Sequence, residues 1–129
     1  MKLGFIYKEK HNFKIGQALM RSSSVWILAC ADHINTSFVS GIVGKIINDN
    51  EFHLISDGYF SIKEILTDEN NNELISGQFY GLSDKIPGAI TMICPKIFAP
   101  ILICQSTYCG TSGHIEIRCP IIMEDKNDN

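Results

Sequence analysis

The chain reads as an α+β fold: a mostly antiparallel, strongly twisted β-sheet or partial barrel with one short covering helix. Three observations predict it. Short apolar and β-branched runs recur along the chain, separated by clusters of Ser, Asn, Asp and Gly. Most connections between those runs are short, which favours antiparallel neighbours. A helical spacing of apolar residues stands out only once, near the start.

Taken in order, the region from Leu3 to Tyr7 predicts a strand. Asn12 is placed to cap a helix, with Ile15, Ala18, Leu19 and Ser22 on one face and the Ser22-Ser23-Ser24 run to end it. His11, just before this helix, is expected at the surface. The run from Val25 to Ala31 suits a strand buried on both faces. The glycines and β-branched residues between Phe38 and Ile47 favour extended structure, and Asn48-Asp49-Asn50-Glu51 predicts a hairpin turn returning through Phe52 to Ile55. Ser56-Asp57-Gly58 predicts another turn.

The polar stretch 67–72 predicts a loop between strands over 59–66 and 73–82. Three further strands are predicted over 89–94, 100–104 and 114–122, with Pro95 and Pro100 bracketing the first crossing. Residues 1–123 form one domain in this reading, and 124–129 a polar, frayed tail.

The composition narrows the function classes. The 129 residues are 45% hydrophobic and 19% charged, which fits a single globular domain. A net charge of −3 and only two arginines, Arg21 and Arg118, argue against extended nucleic-acid binding, which needs clustered Lys and Arg. No secretory leader and no membrane-length apolar run is visible, so a cytoplasmic location is expected. Five cysteines, an odd number, then suggest free thiols or metal ligands rather than a disulfide framework. Phosphate-loop, dinucleotide, nucleophile-elbow and His-Glu-x-x-His motifs are all missing.

The richest chemistry lies between Cys104 and Cys119, where three cysteines and His114 fall close together. From Cys109 the order is Cys-Gly-x-x-Gly-His-x4-Cys. It resembles the back half of the retroviral-type zinc knuckle, Cys-x2-Cys-x4-His-x4-Cys. That resemblance covers about a dozen residues and implies Cys109, His114 and Cys119 as metal ligands. It departs at the first ligand, where Ser106 stands; the nearest cysteine, Cys104, is two residues too early. Strand alternation also sets His114 and Cys119 on opposite faces, which argues against a shared ion.

Two other readings attach to the same segment. A turn over Gly110, Thr111, Ser112 and Gly113 could present backbone N–H groups to an anion, with Arg118 as a second contact. Alternatively Cys109 is a nucleophile activated by His114, or by His33 with Asp32 orienting it, in a small hydrolase or transferase. The leading expectation is a non-catalytic binding protein without a cofactor. It would be a homo-oligomer, because one helix cannot cover so much apolar sheet, and would hold a small ligand, an anion among the candidates, or a protein partner.

Overall fold

The computed structural model describes residues 2–123; the predicted tail over 124–129 lies outside the described residues. Eleven strands follow one another: β1 (Lys2–Tyr7), β2 (Ala18–Ser22), β3 (Val25–Leu28), β4 (Gly41–Asn48), β5 (Glu51–Ile62), β6 (Phe79–Leu82), β7 (Ile90–Thr91), β8 (Ile97–Phe98), β9 (Pro100–Ser106), β10 (Thr111–Ile115) and β11 (Ile121–Ile122). The only helical turn among the described residues is a 3₁₀ turn at Ile34–Thr36. The α+β expectation is therefore corrected: the fold is nearly all sheet, curled into a half-barrel, with no covering helix among the described residues.

The stretch predicted as a helix is instead a loop that runs into β2, the first arm of a hairpin. β2 and β3 pair antiparallel, Leu19 with Leu28, Met20 with Ile27 and Arg21 with Trp26, around Ser23-Ser24. Ser23 takes a left-handed φ of 56° in that two-residue turn. The physical reason lies in three consecutive residues. Ala18, Leu19 and Met20 are all buried, Ala18 and Met20 in the main core and Leu19 in a second cluster. A strand covered on both faces buries neighbours in sequence, whereas a surface helix buries one stripe. Asn12, the expected cap, has a left-handed φ of 56° instead.

β5 organises the sheet. Its first half lies between β1 and β4, with His53 opposite both Phe5 and Lys45. Its second half pairs with β10, Tyr59 opposite His114. The turn expected at Ser56–Gly58 is thus a change of partner inside one strand, and Gly58, at φ 81°, supplies the backbone freedom for it. The strand predicted over 114–122 is also two pieces, broken before Pro120, which cannot donate to a ladder.

The main sheet runs β3-β2-β4-β5-β10-β9-β6-β7, with β1 added at β5. The connection after β6 reaches back to its other end. Ala31 N–H donates to the Ser83 carbonyl at 2.9 Å, Gly88 N–H to Ala29 at 2.7 Å and Ala18 N–H to Gly88 at 2.8 Å. Inside the curl, Tyr80, Phe60, Ile101 and Leu102 are buried in one core. Phe52, Leu54 and Val43 form the second cluster, with Phe13 and Trp26 packed against it. No helix among the described residues is long and apolar enough to cross a membrane.

Candidate functional site

The predicted chemical segment folds as the β9–β10 hairpin, and its parts separate. The reversal spans Thr107 to Gly110, so Thr111, Ser112 and Gly113 lie in β10 rather than in an open turn. Cys109 sits exposed in the reversal at a left-handed φ of 57°. Cys104 is fully buried in β9, opposite Gly113, where burial pushes its thiol above the ordinary value and the Ser106 backbone N–H pulls it partly back. Cys119 is exposed beyond the end of β10. Among the described residues, no three His, Cys, Asp or Glu side chains group as metal ligands would.

His114 turns to other partners. Its Nδ1 lies 3.0 Å from Glu116 Oε1 without hydrogen-bond geometry, so the contact is one of proximity. The same carboxylate accepts from Arg118 Nη2 at 3.1 Å. Arg118 therefore spends its charge on Glu116, at an exposed position. Neither hydrogen bonds nor ion pairs join Cys109 to His114 among the described residues.

Asp32 and His33 lie just before the 3₁₀ turn, His33 at its N-cap. Thr36 Oγ1 donates to the Cys30 carbonyl at 2.7 Å and to Asp32 Oδ1 at 3.2 Å. Desolvation opposes ionisation of Asp32, but hydrogen bonds from Cys30 and Thr36 and the nearby His33 outweigh it and hold the carboxyl below its usual range. Burial raises the Cys30 thiol; the Asp32 backbone N–H lowers it, and the carboxylates of Asp32 and Asp84 raise it again. These groups tie the turn together, and none of their hydrogen bonds reaches Cys109.

The glycines and Thr111 have a structural task. A Cβ on Gly110 would stand 2.2 Å from the Ile62 carbonyl oxygen, and one on Gly113 2.4 Å from that of Ile103. The buried Thr111 hydroxyl donates to the Glu64 carbonyl at 2.8 Å and accepts from Leu66 N–H at 2.9 Å. The hairpin thereby clamps the segment that leaves β5, and this segment walls a cleft.

That cleft, about 470 Å³, opens between residues 14–17, 64–71 and 86–90. Ile15, Ile65, Ile86 and Pro87 give it apolar walls; Lys14, Gln17, Glu64, Asp68, Glu69 and Asn71 ring it with polar groups. Three of those are carboxylates against one lysine. Asp68 Oδ1 accepts from the N–H groups of Asn70 and Asn72 at 2.8 and 3.0 Å, which fixes the loop. Glu69 Oε2 accepts from Ser83 Oγ at 2.9 Å, which joins that loop to the β6–β7 connection. The ion pairs found among the described residues leave Lys14 and Glu64 uninvolved.

Sequence reasoning missed this cleft, because its walls are far apart in the chain. It also missed His11, which is buried, not exposed. His11 stacks on Phe13 and meets the edge of Phe52; its Nδ1 accepts from Phe13 N–H at 2.9 Å and its Nε2 lies 2.7 Å from the Asn48 carbonyl. Those two contacts require Nε2–H as donor and Nδ1 as acceptor.

No protein-family model, no curated protein and no solved structure matches the chain.

Proposed function

We propose that this protein is a non-catalytic binding protein that takes a small ligand in the cleft between residues 14–17, 64–71 and 86–90. The observation that carries the reading is the cleft itself: about 470 Å³, with apolar walls and a polar rim, one wall pinned at Glu64 and Leu66 by the Thr111 hydroxyl. Its volume falls in the range of small-molecule sites, about 300–1,000 Å³. The carboxylate excess at the rim favours a ligand carrying an ammonium or guanidinium group over the anion suggested by Arg118 and the β9–β10 segment. The dispersal of Cys109, His114, His33 and Asp32 supports binding over thiol catalysis. Five free thiols suit a reducing compartment, and we assign the protein to the cytoplasm on that ground.

Thermal denaturation with spermidine, arginine and inorganic phosphate as probes tests the reading. Spermidine or arginine at millimolar concentration should raise the midpoint of the wild-type chain by a few degrees, as expected for a ligand that binds only the folded state. The same additions should leave Ile65→Trp unmoved, since an indole there fills the cleft from a half-exposed wall position. Stabilisation by phosphate alone, or equal stabilisation of both chains, contradicts the assignment.

A further inference from the structure

We propose that a second copy of this chain docks on the edge strand β1, the two β1 strands pairing antiparallel about a twofold axis at Phe5. The inference stands on a different surface from the cleft and does not depend on it. Among the described residues β1 pairs only with β5, so one side of its backbone has no strand partner. Along an antiparallel pair, alternate residues turn their N–H and C=O away from the partner, which makes such an edge a template for another strand.

The side chains on this edge are those of an interface. Leu3, Phe5 and Tyr7 share one face of β1, opposite Ile55, His53 and Glu51 of β5. They are 37%, 78% and 67% exposed, and Ile47, 43% exposed, lies beside them across the groove that Phe5, Tyr7 and His53 line. Phe5 rests on the edge of the His53 ring, with centroids 4.2 Å apart, and is otherwise open to water.

Scaled by exposure, Leu3, Phe5 and Tyr7 present roughly 350 Å² of apolar surface per copy, taking an aromatic side chain as about 150–250 Å². A standard interface draws about 800 Å² from each partner, a little over half of it apolar. The stripe therefore supplies most of the apolar share that a standard interface draws, and it is of the size that the largest, often functional, patch on a protein surface reaches.

Self-complementarity selects the occupant. Directly opposed residues of an antiparallel pair share a face, so a twofold at Phe5 sets Phe5 against the partner's Phe5 and Leu3 against Tyr7 of the partner subunit. Both are apolar contacts that contain an aromatic ring. Gly4 then meets the partner's Ile6 on the other face. An isologous contact of this kind closes at two copies and leaves no further β1 edge exposed.

Sedimentation of the full chain across 1–100 µM, with cysteine cross-linking, tests the proposal. The wild type should be dimeric in the upper part of that range. Phe5→Glu should weaken the dimer at least tenfold, and Tyr7→Glu should do likewise. Both positions are exposed, so the thermal midpoints of the variants report whether the fold survives the change. Opposed Cα atoms of such a pair lie about 4.5–5.5 Å apart, within disulfide reach. Mild oxidation should therefore link Phe5→Cys chains through position 5, as peptide mapping would locate, while Leu3→Cys alone should not link through position 3. A wild type that stays monomeric at 100 µM overturns the proposal. So does a dimer indifferent to Phe5→Glu, linkage through position 3 but not position 5, or open-ended assembly in place of a defined dimer.

Discussion

The Thr111 hydroxyl and Leu66 N–H meet at 2.9 Å inside the protein, and the same hydroxyl donates to the Glu64 carbonyl at 2.8 Å. One buried side chain thus supplies both bonds that fix the chain as it leaves β5 and turns to wall the cleft. Replacing it with valine keeps the shape and strands a donor and an acceptor. Thr111→Val should cost about 2–4 kcal/mol in chemical denaturation, the desolvation penalty of two unmet polar groups. Thr111→Ser should lose much less, because it keeps the hydroxyl.

Glycine substitutions should separate close packing from backbone conformation. Gly110 combines a φ of 127° with the 2.2 Å approach to the Ile62 carbonyl, so Gly110→Ala should destabilise by more than about 3 kcal/mol or prevent folding. Gly77 has a φ of 84° but nothing within 4 Å of where an added Cβ would stand. Gly77→Ala should cost only about 1 kcal/mol, the left-handed penalty alone. Equal losses at the two sites would contradict the packing described around Gly110.

Thiol labelling follows exposure. Iodoacetamide should modify Cys94, Cys109 and Cys119 in the folded protein and reach Cys30 and Cys104 only on unfolding. Peptide mapping of the labelled chain checks it. Preferential labelling of Cys109 far ahead of Cys94 and Cys119 would favour the nucleophile reading over the binding one.

Stability should fall on the alkaline side. Burial raises the Cys104 thiol above its ordinary 9.0 and the Tyr80 phenol above its ordinary 10.0, although the Ile75 N–H bonded to the Tyr80 oxygen works against the second shift. Both groups keep a proton in the folded state that the unfolded chain gives up first. Their contribution is complete below pH 9 and is lost as pH rises through the raised values. The thermal midpoint should therefore drop between pH 9 and 11, and Tyr80→Phe should flatten the upper part of that decline. A midpoint constant to pH 11 would contradict the burial of both groups.

Much of the sheet was legible because turn chemistry is local. Asn48–Glu51 marks the β4–β5 hairpin through residues adjacent in sequence; the run 67–72 is a polar loop too, but it sits inside a longer irregular stretch, 63–78, and does not join strands over 59–66 and 73–82. The β2–β3 hairpin was not legible. Ile15, Ala18 and Leu19 match a helical stripe, and only contacts from both sides of the sheet make Ala18, Leu19 and Met20 one strand. The continuity of β5 through Gly58 depends on β10, more than fifty residues away. The same non-locality hid the cleft, while the cysteine-rich segment drew notice through composition that the fold then distributed between core and surface.

A native mass spectrum of gently purified protein, set beside a denatured one, tests the central claim most directly. The binding account predicts a small-molecule mass on the wild-type chain, lost on denaturation and absent from Ile65→Trp. A wild-type chain carrying no ligand mass, or a mass retained unchanged by Ile65→Trp, would contradict a ligand seated in the cleft.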